Sequence, residues 1–221
     1  MSSSGLPLLS SAQVKQVDAL CQERFGIPTD WLMEAAGWQV ARWVDRPAAV
    51  MCGVGNNAGD GLATARHLHR WGKLAGVCGV DVTRLRGAAA RELEALRRLG
   101  VEVASEPALR EAEVVVDAIF GTGLTRAPEG RFAEWIEAIN ASHKHVIAID
   151  VPSGLDADTG VAYSPAVRPD VVVTLGLPKA GLAKLDSEVW IVDIGVPFEA
   201  YAAIGVQVPA GLFASSDRVR L

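Results

Sequence analysis

Short, continuous runs of apolar residues constrain the fold of this 221-residue chain more than any other feature of its sequence. Five of them occupy residues 48–52, 74–80, 114–120, 146–149 and 171–175. A sixth lies at 189–192, and residues 101–103 predict one more short strand. Because the runs are rich in β-branched residues and do not alternate with polar ones, they predict strands that are buried on both faces.

Amphipathic stretches separate most of these runs and predict helices at residues 61–71, 83–99 and 130–139. Strands that alternate with helices are typical of βαβ units and a parallel sheet. We therefore expect a Rossmann-like α/β fold of three layers with a mainly parallel central sheet.

Two further helices are predicted before the first strand. The spacing of Val14, Val17 and Cys21 indicates a helix that begins near Ser10 or Ser11 and ends before Gly26. Asp30 is the predicted cap of a second helix. The residues of that helix expected to face inward are Leu32, Ala36, Val40 and Trp43.

We expect the whole chain, residues 1–221, to form one domain with its core at about 10–200. Residues 209–221 lose periodicity, so they are interpreted as a tail or a truncated linker.

The composition excludes several classes of protein. A net charge of −5 without a Lys/Arg run argues against nucleic-acid binding. No apolar run approaches the ~18 residues of a membrane helix. Three cysteines without CxxC spacing argue against a disulfide framework and a zinc site, and indicate a reducing compartment. Since the first residues show no secretory signal either, we expect a cytoplasmic protein that binds no membrane.

Four segments rich in glycine and polar residues follow predicted strands, at residues 53–61, 117–123, 150–156 and 174–179. In an open α/β sheet, ligands bind outside the carboxyl ends of the strands. The topology therefore predicts one ligand site where these four segments meet.

The first of these segments also suggests a different function. Gly53, Gly55 and Ala58 fit a dinucleotide-binding fingerprint, and Asp81 follows the next strand, as in a nicotinamide-dependent dehydrogenase. However, Asp60 would then place a carboxylate where a helix N-terminus binds a pyrophosphate. The dehydrogenase stays an alternative that the residues disfavour.

The four segments resemble the NAD(P)H-hydrate epimerase family, also described as the YjeF N-terminal domain. The matching stretches are residues 25–28, 32–37, 55–61, 65–68, 116–124, 149–160, 174–181 and 192–195. They cover residues 14–197 in the family's order and spacing. The family usually has Asn at the position of Ala35 and Gly at that of Ala58. We expect the first change to remove a polar contact from the pocket wall or dimer region, and the second to add a methyl group against the ligand.

The resemblance implies an isomerase of nicotinamide-cofactor repair. Family members interconvert the R and S forms of NADH and NADPH hydrated at C6, so that a dehydratase, separate or fused, can restore the cofactor. The resemblance also implies a homodimer. A non-catalytic scaffold on the same fold is an alternative, because some relatives are RNA-associated scaffolds or secreted binding partners. Retention of Asn57, Asp117, Asp150 and Ser153 favours catalysis.

The resemblance also implies roles for individual residues. It places one K⁺ per subunit at Asn57, Asp117 and Ser153, residues that would otherwise only satisfy turn backbone. It places the substrate against two loops, whose residues are Asn56, Asn57, Ala58, Gly59 and Asp60, and Gly121, Thr122, Gly123, Leu124, Thr125, Arg126 and Ala127.

Asp150 is predicted to contact the substrate and, with Lys179, to be the catalytic acid/base pair. Inverting C6 requires a proton transfer at the hydroxyl or at the ring nitrogen, and a carboxylate beside an ammonium can supply it. The alternative for Asp150 is a turn cap before Pro152, and for Lys179 a solvated surface charge.

Overall fold

The computed structural model describes residues 5–107 and 109–221. Its strands are β1 Ala48–Cys52, β2 Leu74–Gly79, β3 Val103–Ala104, β4 Val114–Ala118, β5 His145–Ile149, β6 Val171–Leu175, β7 Glu188–Val192 and β8 Arg218–Arg220. Its α-helices are α1 Ser11–Glu23, α2 Thr29–Ala41, α3 Asn56–Arg70, α4 Gly87–Arg98, α5 Arg131–Ala141 and α6 Phe198–Ala203. Short 3₁₀ helices occupy Val82–Arg84 and Ala180–Lys184.

The strands form one sheet in the order β3-β2-β1-β4-β5-β6-β7-β8. All neighbouring pairs are parallel except β7 and β8. The strand order reverses between β1 and β4, which is the point where such sheets bind ligands. The prediction of a mainly parallel α/β sheet with two N-terminal helices is confirmed.

The side chains of the strands alternate between two cores. Val50 and Cys52 of β1 pack into the core beneath α2, α3 and α4, whereas Met51 packs into the core beneath α5. Helices therefore cover both faces of the sheet. α1 and α6 share a third apolar cluster around Leu177 at the carboxyl edge of the strands, so they close that edge.

α3 begins at Asn56, five residues before the predicted start at Gly61. The two glycines of its first turns were interpreted as loop residues, but packing requires them. A Cβ on Gly61 would lie 2.4 Å from the Cβ of Ala118, and one on Gly59 would lie 2.5 Å from Met33. Close contact with the sheet and with α2 therefore overrides the weak helix propensity of glycine.

Other boundaries also differ from the prediction. Pro28 rather than Asp30 is the residue before α2, and Asp30 lies in the first turn, where Arg91 pairs with it. The stretch predicted as one helix at 83–99 divides into a 3₁₀ turn and α4. Within residues 209–221, Arg218–Arg220 pair with β7 as an edge strand that the sequence did not predict.

Among the described residues, no helix is both long and apolar enough to cross a membrane. All three cysteines are buried.

Candidate active site

A cavity of about 460 Å³ opens at the carboxyl edge of the sheet. That volume is within the usual range for a small-molecule site. Residues after β1, β4, β5, β6 and β7 line it from below, and α1, α2 and α6 contribute the remaining walls. The predicted convergence of loops at this edge is therefore observed.

Asp150 and Lys179 form a buried ion pair in this cavity. The Lys179 Nζ lies 2.5 Å from the Asp150 Oδ1, and Lys179 is only 2% exposed. Lys179 also donates to the carbonyl oxygen of Leu175 at 2.7 Å and to the hydroxyl of Thr174 at 3.4 Å. Its three ammonium hydrogens thus have three acceptors, which fixes the side chain in place.

The backbone directs the Asp150 side chain into the cavity. Its φ of 66° lies in the left-handed region that residues other than glycine rarely adopt, a conformation that costs of order 1–3 kcal/mol. Its Oδ1 accepts from Lys179, from the Thr174 hydroxyl at 3.3 Å and from the Leu175 amide at 3.2 Å. No described residue donates to its Oδ2. One oxygen is therefore anchored, and the other is available to a ligand.

Asp117 and Ser153 form a second, more enclosed cluster. Asp117 is fully buried and accepts from the Ser153 hydroxyl at 2.6 Å, the Ser153 amide at 2.8 Å and the Ile119 amide at 3.2 Å. Burial raises the pKa of Asp117 to about 6, although these hydrogen bonds oppose the shift. The Ser153 oxygen in turn accepts from the Phe120 amide at 2.8 Å. The cluster joins the loops after β4 and β5.

Asn57 completes this cluster from the first turn of α3. Its Nδ2 donates to the Phe120 carbonyl oxygen at 2.9 Å. Its buried Oδ1 has no hydrogen-bond partner among the described residues. A buried amide oxygen without a donor is rare in native structures and points to a bound water or ion.

Most of the predicted substrate-binding residues line the cavity, and some do not. Those on its wall are Asn56, Asn57, Asp60, Gly121, Thr122, Gly123, Leu124 and Asp150, together with Lys179. Ala58, Gly59, Thr125, Arg126 and Ala127 are not part of the wall in this structure, nor are Asp117 and Ser153. The methyl group of Ala58 packs in the core beneath α3 rather than against the cavity. Ala35 is half-buried on α2 and does not line the cavity.

Sequence reasoning missed four polar residues of the wall, Lys15 and Asp18 of α1, Thr29 of α2 and Tyr201 of α6. The Tyr201 hydroxyl accepts from the Leu177 amide at 3.3 Å. Burial raises the pKa of Asp18, while Lys179 lowers it and Asp150 raises it. The sequence contains one indication of Asp18, because this acidic residue lies between Val14 and Cys21 on the apolar face of the helix.

Burial also raises the pKa of Asp60 well above its usual range, and nearby Asp150 and Asp18 raise it further. Three carboxyl groups therefore line one cavity, and among its described residues Lys179 carries the one buried ammonium, since Lys15 is exposed. Because like charges repel strongly at this depth, the cavity favours protonation of some of its acids.

Comparison with known proteins identifies the family of this chain. Residues 29–181 match the model of the family described as YjeF-related protein N-terminus. An NAD(P)H-hydrate epimerase of Rhodopirellula baltica is 35% identical over 88% of this chain and 86% of its own length. A bifunctional NAD(P)H-hydrate repair enzyme of Thermofilum pendens is 40% identical over 84% of this chain but 40% of its own length. The chain thus spans about two fifths of the bifunctional relatives. The crystal structure of the yeast protein ynu0 superimposes with a TM-score of 0.83 over 98% of this chain and 100% of that chain, at 23% identity, and so supports the fold.

Proposed function

The chain belongs to the family of YjeF-related protein N-termini, and from that premise we propose that it is an NAD(P)H-hydrate epimerase. It would interconvert the R and S forms of NADH and NADPH hydrated at C6. The observation that most supports this activity is the Asp150–Lys179 pair, which lies at the bottom of a cavity lined by both predicted substrate loops. The alternatives, a dehydrogenase and a scaffold, have no such specific support.

In this proposal Asp150 exchanges protons with the substrate. Epimerisation by loss and re-addition of water breaks the C6–O bond, with the ring nitrogen supplying an electron pair, and forms the bond again on the other face. The attacking water must lose a proton in the second step. The free Oδ2 of Asp150 is the group placed to accept it.

Lys179 acts on Asp150 rather than on the substrate. All its hydrogens are directed to protein acceptors, one of them the Asp150 Oδ1. It therefore holds the carboxylate in one orientation. We assign it as a positioning residue within the predicted catalytic pair.

The nucleotide part of the substrate is proposed to lie along residues 121–124 and the start of α3. Gly121 and Gly123 permit a close approach of the backbone to a ligand. Asp60 was expected at the amino end of α3, but the helix begins at Asn56 and Asp60 lies in its second turn. The free amides at the start of α3 can therefore attract phosphate groups. Thr125, Arg126 and Ala127 continue the same loop, and we propose that they contact the substrate once it is bound.

We further propose that one K⁺ per subunit binds beside Asn57, Asp117 and Ser153. These residues fit a hard cation, since every side-chain donor atom is an oxygen and the Asn57 Oδ1 has no other partner among the described residues. The ion would balance the buried charge of Asp117 and connect the loops around Phe120. Its role would be to hold those loops in place for the substrate.

We propose two protein partners. The first is an NAD(P)H-hydrate dehydratase, separate or fused, because the bifunctional relatives are named as repair enzymes. Such a pathway would operate in the cytoplasm. The second is another copy of this chain. Trp31 and Trp38 of α2 are 65% and 41% exposed, and clustered exposed aromatic residues mark interfaces.

The dimer is tested by its mass. Light scattering at micromolar concentration is expected to give twice 23.3 kDa, and Trp31→Arg is expected to shift the mass toward the monomer. A monomeric unaltered protein would contradict the dimer without affecting the proposed chemistry.

The activity is tested by a coupled assay. The R hydrate is mixed with a dehydratase specific for the S form, with and without this chain, and the return of reduced cofactor is followed by absorbance. An epimerase accelerates the return, whereas a scaffold leaves it at the spontaneous rate. A dehydrogenase would consume reduced cofactor only when an acceptor is added.

A further inference from the structure

The proposed epimerisation requires a proton donor as well as an acceptor. The leaving hydroxyl needs a proton, and the attacking water must lose one. Asp150 supplies the acceptor, but the hydrogens of Lys179 are already directed to Asp150, Leu175 and Thr174. Another acid of the cavity must therefore provide the first proton.

Asp18 has the position such a donor requires. It lies on α1, which covers the carboxyl edge of the sheet, whereas Asp150 extends from the sheet itself. The two carboxyl groups thus belong to different walls of one cavity. Asp18 is half-buried, and no described residue forms a hydrogen bond with its carboxyl group. It is available to a ligand on its free side.

Besides Asp18 and Asp150, Asp60 is the third carboxyl group on the described wall, and the charged groups around it differ from those around Asp18. Of the charged groups that affect the pKa of Asp60, Asp150 has the largest effect, and its negative charge raises that pKa. Of the charged groups that affect the pKa of Asp18, Lys179 has the largest effect, and its positive charge lowers that pKa. Asp18 can therefore release a proton and be stabilised afterwards, whereas Asp60 is suited to keeping its proton as a fixed hydrogen-bond donor.

We propose that Asp18 is the proton donor that acts on the C6 hydroxyl from the helix side of the cavity. This inference rests on the proposed epimerase function. In the first step Asp18 gives its proton to the hydroxyl oxygen, the C6–O bond breaks and water leaves, and the electron pair of the ring nitrogen forms a double bond to C6. In the second step water adds to C6 from the other face and Asp150 takes its proton. One proton has then moved from Asp18 to Asp150, and exchange with solvent restores both groups.

Several titratable groups of the packed elements influence Asp18 and must be considered in any pH profile. They are Lys179, Asp150, Asp60, Cys21 and Tyr201. The donor must be protonated, so turnover should fall as the pH rises past the pKa of Asp18. That alkaline decline should be absent from a variant that cannot release a proton at position 18.

The test compares Asp18→Asn with Glu23→Gln, an exposed change on the same helix, and with Asp60→Asn. Each variant is assayed for kcat, KM and the pH dependence of kcat with the R hydrate, after circular dichroism has shown that it is folded. Asp18→Asn is expected to lower kcat by ~10²-fold, to change KM little and to lose the alkaline decline. Glu23→Gln is expected to behave like the unaltered protein. Asp18→Glu keeps the acid and is expected to recover part of the activity.

The assignment is overturned if Asp18→Asn keeps kcat within a few fold, or if only its KM rises. It is also overturned if Asp60→Asn alone removes the alkaline decline, since Asp60 would then be the donor. An unaltered protein without any epimerase activity refutes the proposed function instead, so the two failures are distinguishable. If Asp18→Asn does not fold, the pH profile of Asp18→Glu decides, because a shift of its alkaline decline supports the assignment and an unchanged profile contradicts it.

Discussion

Asp117 and Asp150 stand at the ends of neighbouring parallel strands, and their surroundings differ in one decisive way. The carboxylate of Asp117 is fully buried and accepts hydrogen bonds from Ser153 and Ile119 on both of its oxygens. Asp150 lines the cavity, and among the described residues only its Oδ1 receives hydrogen bonds. The same residue type near the ends of neighbouring strands is therefore suited to different tasks. Asp117 stabilises loops, and Asp150 can exchange a proton with a ligand.

The largest expected effect is a loss of turnover when Asp150 is replaced. Asp150→Asn keeps the shape of the side chain but cannot take a proton, so turnover should fall by ~10²-fold or more. Binding of the hydrate and of K⁺ should change little, because neither needs that proton. Steady-state kinetics with an independent binding measurement checks this. Weak binding with normal turnover at saturation would instead make Asp150 a positioning residue.

Removing one partner of the ion pair between Asp150 and Lys179 should lower the free energy of unfolding. Lys179→Met leaves a buried carboxylate without its partner, which typically costs about 3–5 kcal/mol of unfolding free energy. Urea unfolding measures that loss. The double variant with Asp150→Asn should recover much of it, because the uncompensated charge is gone. Simple additivity of the two single losses would contradict a direct coupling.

Substitutions in the cluster of Asp117, Ser153 and Asn57 should mainly lower the free energy of unfolding. Ser153→Ala removes the 2.6 Å bond to Asp117 and the acceptor of the Phe120 amide, an expected loss of about 1–3 kcal/mol. Ser142→Ala is the matched control, since that hydroxyl lies at a helix end, where it donates to the Ile139 carbonyl at 2.7 Å and accepts from the Lys144 amide at 3.4 Å. Equal losses of unfolding free energy in the two variants would show that the hydrogen bonds around Asp117 stabilise the protein no more than those of Ser142 do.

The smallest expected effect is that of K⁺, and it depends on pH. Burial raises the pKa of Asp117 from 3.8 to about 6, so the folded protein binds the proton more tightly than the unfolded chain. Without K⁺, the contribution of this group to stability should therefore fall as the pH rises from about 4 to about 6, and stay level above that. K⁺ should offset the loss above pH 6, by about 1.4 kcal/mol at ten times its Kd.

Asp117→Asn should remove both responses. Thermal melting in KCl and in a buffer of a larger organic cation, between about pH 4 and about pH 8, measures them together. An unaltered protein that melts at the same temperature in both buffers would contradict the potassium site.

The fold was predictable largely because its signals are local. Runs such as 48–52 and 171–175 are continuous and β-branched, and each became a strand with the predicted bounds. The start of α3 was not predictable in this way. Its glycines look like loop residues, and only the proximity of Ala118 and Met33 explains why a helix needs them there.

The candidate site was predictable where its residues follow the strands. Asp150 and the Gly121–Leu124 segment lie where the topology places strand ends. Asp18 and Tyr201 come from helices at opposite ends of the chain, and they reach the cavity only because α1 and α6 pack together. The resemblance grouped Asp117 with Ser153 and Asn57, but it did not predict that Asp117 is fully buried with both oxygens bonded by Ser153.

The most direct test of the account starts with the pure R hydrate and this chain alone. Chromatography then follows the R form, the S form and reduced cofactor over time. The account predicts that the S form accumulates to a constant ratio while total hydrate is conserved, and that Asp150→Asn slows this approach by ~10²-fold. A hydrate that remains R at the spontaneous rate, or one that disappears into other products, would contradict the assignment of this cavity as an epimerase site.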